Sequence, residues 1–221
     1  MADNYYVAVS HTFKGQENMG IAERKAREFE RREREILDAA FTLFMEKGPE
    51  VVTNEMIAEA SEIGKGTIYK HFKSKSDIYA VLLIQHVEKL HNYITDHLDF
   101  SAPVLDRMKA FLRLHLDFFN NNPGAHKVCC EFRRFLTDNC LDPAVAERYR
   151  ELYQKKNLML EKMFDEALEQ GLVVDMPASD LTALVSGMLL GVMNEMSNEF
   201  ISDRETINAA LVEGFIKSVL K

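Results

Sequence analysis

The chain is poor in the residues that interrupt or staple a fold. Its 221 residues include no tryptophan, five prolines, ten glycines and three cysteines. So little proline and glycine excludes collagen-like and low-complexity architectures, and 47% hydrophobic with 28% charged residues excludes wholesale disorder. Cys129, Cys130 and Cys140 are odd in number and lack C-x-x-C spacing, so no disulfide framework is expected. They read as inert buried thiols; the alternative is redox sensing, with Arg133 and Arg134 close enough in sequence to lower a thiol pKa where they face it. The longest apolar run, around Ala80 to Ile84, falls far short of the roughly 18 residues of a spanning helix, so no membrane partner is expected. Met1 to Ser10 lacks a basic segment followed by an apolar stretch, which predicts a cytoplasmic protein.

An excess of positive charge is also missing. The formal net charge is −8, which excludes a histone-like coat for nucleic acid. The acid is unevenly placed, however. Residues 76–221 hold 15 basic against 22 acidic side chains, whereas residues 23–75 hold 11 of each. Within the balanced stretch lie two basic runs. One is Arg24, Lys25, Arg27, Arg31, Arg32 and Arg34, interleaved with Glu28, Glu30 and Glu33; the other is Lys65, Lys70, Lys73 and Lys75, with no acid from Lys65 to Ser76. Both are candidate phosphate contacts, and for the first a solvated helix face is the equal alternative.

No segment alternates at period 2 for long enough to suggest a sheet, so the expected fold is all-α. Residues 1–22 lack periodicity and read as a flexible arm. Ile36, Ala39, Ala40, Leu43 and Phe44 mark an amphipathic helix that starts between Ala22 and Arg31 and stops at Gly48-Pro49. Thr53 caps a short second helix with Met56, Ile57 and Ala60 inward. After a turn at Ser61–Gly64 comes a third helix, about Lys65 to Phe72, which buries Ile68 and Phe72 and turns Lys65, Thr67, Tyr69, Lys70 and His71 largely outward. Ser74-Lys75-Ser76-Asp77 has the form of a capping box and opens a long helix to about Asp99, with Leu83, Val87, Leu90, Ile94 and Leu98 as its stripe. Five further helices are expected over Val104–Asn120, Ala125–Thr137, Pro143–Gln170, Ser179–Phe200 and Arg204–Leu220. Three segments follow: an arm, 1–22; a three-helix segment, 23–75; and a longer helical segment, 76–221.

Helix, short turn, helix, with a basic and aromatic outer face on the second, is the helix-turn-helix device for entering a major groove. The residues Ile36-Leu37-Asp38-Ala39-Ala40, Phe44, Gly48, Thr53, Ile57-Ala58-Glu59-Ala60 and Gly64 to Lys75 resemble the TetR family of bacterial transcriptional regulators. The resemblance is close over about 33–80 and extends to the remaining helices only in number, order and length. Ser61 stands where the family usually has Gly, and Lys73 replaces a common Pro.

The resemblance implies a DNA-facing set. Thr53 either holds a phosphate or serves only as a cap; Lys65, Thr67 and Lys70 reach base edges or adjacent phosphates; Gly66 lets the backbone approach. Tyr69 donates to a phosphate, Lys75 matches the family's backbone clamp, and His71 either reads a base or packs on the neighbouring helix.

It also implies a homodimer on operator DNA and a small-molecule effector in the middle helices, which makes 23–75 the DNA-binding domain and 76–221 the effector-binding and dimerisation domain. Ala183, Gly187 and Gly191 form a small-residue stripe beside Leu184 and Met188 which, with Leu211 and Phe215, is the candidate dimer face; intrachain packing is the alternative. Met108, Phe111, Leu112, His115, Phe118 and Phe119 share one stripe, and His86, Leu90, Tyr93 and His97 another. An apolar or amphipathic effector suits such a mix, and core filling is the rival role. His86, His97, His115, His126, Cys129 and Cys130 show no ligand spacing, so no metal or cofactor is expected, and no catalytic constellation appears. The expected function is a ligand-released repressor; the rival is an all-helical carrier or enzyme that contains a helix-turn-helix.

Overall fold

The computed structural model describes residues 20–122, 143–197 and 204–221. Among these residues every regular element is a helix. We number them α1 (Ile21–Lys47), α2 (Asn54–Ala60), α3 (Lys65–His71), α4 (Lys75–His97), α5 (Val104–Asn121), α6 (Pro143–Glu169), α7 (Ala178–Ser197) and α8 (Arg204–Val219). The expected order is all-α as read, with ends shifted by a few residues. α1 starts inside the stretch expected to be an arm, and the helix expected over Ala125–Thr137 lies outside the described residues, as do Cys129, Cys130, Cys140, His126, Arg133 and Arg134.

The chain forms two compact units, one ending at Ile78 and the other beginning at Tyr79. In the first, Ile36, Leu37, Ala40 and Phe44 of α1 are buried, as are Val52, Ile57, Ala58, Ile63, Ile68 and Phe72, with α1 packed on α2 and α2 on α3. Gly48, at φ 80°, stops α1: its N–H reaches back to the Phe44 carbonyl at 3.0 Å in a conformation that a side chain would oppose. In α2 the inward pair is Ile57 and Ala58. Ala60, expected inside, is exposed, because so short a helix presents barely one turn to its neighbours.

The turn after α2 is closed by Ile63 N–H to the Ala58 carbonyl at 3.0 Å and Glu62 N–H to the Glu59 carbonyl at 3.1 Å. This pattern places its central residue in the left-handed region. That residue is Glu62, at φ 54°, while Ser61 keeps a right-handed conformation and donates its hydroxyl to the Ile57 carbonyl at 2.7 Å. The strained position is therefore the one after Ser61.

In the second unit α5 packs against α6, α7 and α8, and α6 against α7. Phe111, Phe119, Phe164, Leu181 and Val185 are central to the core. Arg107 on α5 is paired with Glu166 on α6. The end of α8 is clasped to the α6–α7 turn: Val173 and Leu220 form a bridge, Val174 N–H donates to the Val219 carbonyl at 2.8 Å, and Lys221 N–H to the Leu172 carbonyl at 3.2 Å.

The Glu62 conformation gives a direct expectation. Left-handed backbone costs a non-glycine residue about 1–2 kcal/mol, and glycine returns part of that gain as unfolded-chain freedom. Glu62→Gly should stabilise the protein by roughly 0.5–1 kcal/mol, and Glu62→Val should destabilise it, as measured by denaturant midpoints.

Candidate nucleic-acid interface

α3 is only seven residues long, and its shape depends on what it buries. Ile68 is fully buried and Phe72 nearly so, and this turns Lys65, Gly66, Tyr69 and Lys70 to solvent, with Thr67 half-exposed. Tyr69 is 49% exposed, so its ring and hydroxyl are open to an outside surface. Gly66 faces open space: a Cβ there would meet nothing of this chain within 4 Å. The fold itself does not require that glycine, so the bare backbone is available to an outside surface.

Around this face the polar groups are fixed. Thr53 caps α2, its hydroxyl oxygen accepting the Met56 N–H at 3.2 Å. The Lys65 ammonium is bound to the Glu55 carboxylate on α2, a partner ten residues away in sequence. The hydrogen bond from Lys65 is the largest effect holding the Glu55 carboxyl below its usual range, and the same pairing raises the Lys65 pKa. Lys75 extends its ammonium to the carbonyls of Pro49 at 2.6 Å and Val52 at 2.8 Å. It thereby sets the loop that leads to Thr53, and one of its three donors remains for a phosphate. The capping box forms as expected: Asp77 accepts from the Ser74 N–H at 3.0 Å and its hydroxyl at 2.9 Å.

His71 differs from the rest of the set. Its side chain is only 3% exposed, and its ring stacks on Phe29 of α1 at 3.9 Å, with Nδ1 3.9 Å from the Glu33 carboxylate. Of the two roles left open by the sequence, the structure places the residue in the packing one. Burial pushes its pKa down, against an upward pull from Glu33.

The effector candidates split. His86, Leu90, Phe111, His115 and Phe118 are buried in the second unit and Tyr93 is half-buried. Rings meet there: His86 lies 5.2 Å from Phe118 and 5.3 Å from Phe119, His115 lies 5.2 Å from Phe119, and Tyr93 lies 5.5 Å from Phe118. His97 lies at the edge of this group: its ring is 4.4 Å from Tyr93, but at the last turn of α4 it is exposed, with Nδ1 against the Tyr93 carbonyl at 2.8 Å.

The dimer candidates split as well. Ala183, Gly187 and Gly191 are exposed along α7 beside Leu184, which is 54% exposed, whereas Met188 is half-buried against the core of its own unit. Leu211 packs partly on that same core. Phe215 is buried in it, edge-on to Phe164 at 6.4 Å, and so serves intrachain packing.

Sequence reasoning did not pick out Glu55, Glu33 or Phe29. Glu55 and Lys65 are joined only by the turn, and no local spacing signals their pairing.

Residues 36–82 match the family profile described as "Bacterial regulatory proteins, tetR family". The chain is 24% identical over 116 residues to the HTH-type transcriptional activator FasR of Mycolicibacterium smegmatis, a match that spans 52% of this chain and 51% of that protein. It is 26% identical over 165 residues to the nucleoid occlusion factor SlmA of Vibrio vulnificus, spanning 74% and 82% of the two. The match thus covers only about half the length of the first of these relatives. In fold, the chain is similar to a TetR-family bacterial regulatory protein from Rhodococcus RHA1, with a TM-score of 0.72 at 17% identity over 85% of this chain and 96% of that one.

Two expectations follow from the fixed charges. Glu55→Gln releases Lys65 to phosphates, so it should raise DNA affinity and steepen its salt dependence by up to about one unit in the log–log slope, read by titration at several salt concentrations. For His71, the unfolded chain takes up a proton near pH 6.5 that the folded form resists. Stability should therefore fall as pH drops below about 6.5, and His71→Gln should flatten part of that fall in thermal melts. His91, whose pKa is likewise lowered by burial and then by Lys155, accounts for a further part.

Proposed function

We propose, from the premise that this chain carries a TetR-family DNA-binding region over residues 36–82 within a TetR-like helical fold, that it is a sequence-specific transcriptional regulator of operator DNA. The observation that carries the reading is the exposed, basic and aromatic face of α3, held by a buried Ile68. Lys65, Thr67 and Lys70 read base edges or adjacent phosphates; Thr53, Gly66, Tyr69 and Lys75 set the backbone register; His71 supports the helix from behind.

One such helix covers only a few base pairs, so the protein acts as a homodimer on a palindromic site. The exposed stripe of Ala183, Leu184, Gly187 and Gly191 supplies an apolar face where a second copy can come close. Repression by occupancy of the promoter is the sign we favour; the relative FasR is named as an activator, and the same contacts serve either outcome. The ring cluster of His86, Tyr93, His115 and Phe118 suits an apolar or amphipathic effector that releases the DNA. Among the described residues no helix is long and apolar enough to cross a membrane.

Selection of bound sequences from random duplex DNA, with titration of the winner at two salt concentrations, tests the reading. A palindromic site bound with a steep salt dependence is expected, with Tyr69→Ala and Lys70→Ala each weakening it about 10-fold while thermal stability is kept. Absence of any enriched site, or salt-independent binding, would overturn it in favour of a helical carrier.

A further inference from the structure

The amino-terminal half of α1 takes no part in the core of its own unit: residues 23–31 are all exposed and burial begins at Ile36. Its cations divide into two sets. Arg31 and Arg32 share Glu28 and Glu35 in a closed lattice of ion pairs at 2.6–3.3 Å, and Arg34 donates to the Glu30 carbonyl. Arg24, Lys25 and Arg27, by contrast, have no ion pair or hydrogen bond among the described residues. Gly20 gives the helix no side-chain cap, and cations in the first turns oppose the helix dipole. Unpaired positive charge thus gathers where it helps the helix least and is open to an anion from outside.

The position of this charge is fixed by Phe29. That residue, 48% exposed, stacks on His71, the last residue of α3. Arg24, Lys25, Glu28, Phe29, Arg32 and His71 line one shallow groove, and the buried Nδ1 of His71 makes no hydrogen bond there. At 1.5 Å per residue, positions 24, 25 and 27 lie within about 8 Å of the Phe29 stack along the helix. Arg24 and Lys25 are therefore held beside the carboxyl-terminal end of α3, and Arg27 lies one turn along α1 from Arg24.

We propose that the first two turns of α1 are a second DNA contact, a phosphate rail formed by Arg24, Lys25 and Arg27 that carries the footprint beyond the end of α3. Its partner is the phosphodiester backbone flanking the bases that α3 reads, and the inference rests on the DNA-binding reading above. Contacts of this kind position the protein without specifying sequence.

The test uses the full chain with Arg24→Gln, Lys25→Gln and Arg27→Gln combined, on the duplex selected by the wild type. Gln is a good helix former and the sites are exposed, so circular dichroism should be unchanged; if helix is lost, each substitution made singly replaces the triple variant. At about 0.9 per phosphate, the slope of log affinity against log salt should shrink by about 1–3, or about 0.9 per single variant, with the ranking of base substitutions preserved. Trimming the flanking base pairs should weaken the wild type and leave the triple variant unaffected. An unchanged slope, or a changed base ranking, would overturn the rail while wild-type binding to the same duplex upholds the regulator. If the wild type binds no duplex selectively, both readings fall.

Discussion

Seven residues cannot hold a helix in water, because nucleation fixes several dihedral angles before hydrogen bonds offset the loss. α3 exists because Ile68 and Phe72 are buried, and that burial determines which way every other side chain of α3 points. The surroundings then hold this small element by polar means. Lys75 ties the α1–α2 loop, Asp77 closes the start of α4, and the Glu55–Lys65 pair joins the two short helices. The apolar contacts supply the driving force and the polar ones the orientation, a division expected where a surface must be presented in one geometry.

The helices were legible in the sequence because their apolar spacing is regular and their ends carry recognisable stops, such as Gly48 before Pro49 and the Ser74–Asp77 box. The outward face of α3 followed from the same periodicity. Periodicity fails where one helix must satisfy two neighbours at once. It gave Ala60 to the core of an element too short to turn it inward, and it put His97 on the right face without showing that the end of α4 leaves it exposed beside Tyr93. His71 lies between these cases. Its position on α3 is plain from spacing, yet its burial depends on Phe29, forty-two residues earlier, which no local pattern reveals.

The electrostatics show a similar contrast between local and global quantities. A net charge of −8 tells little about any one surface of this protein, because the acid is concentrated in residues 76–221. Within the first unit the basic residues are not interchangeable either. Some are neutralised in ion-pair lattices on their own helix, one is bound to a carboxylate across the turn, and one is taken up by main-chain carbonyls. Counting Lys and Arg would treat them alike, although only some of them carry charge that the protein has not already paired.

The clasp between α8 and the α6–α7 turn bears on how this chain can diverge from its copies. Main-chain hydrogen bonds such as Val174 to Val219 and Lys221 to Leu172 do not depend on side-chain identity, so substitution leaves them in place. Ala209, Ala210, Gly214 and Lys217 on α8 are exposed, and these positions can be exchanged without loosening its seat. Related sequences can therefore vary the charge and bulk of that face freely while the main-chain clasp keeps the helix where it is.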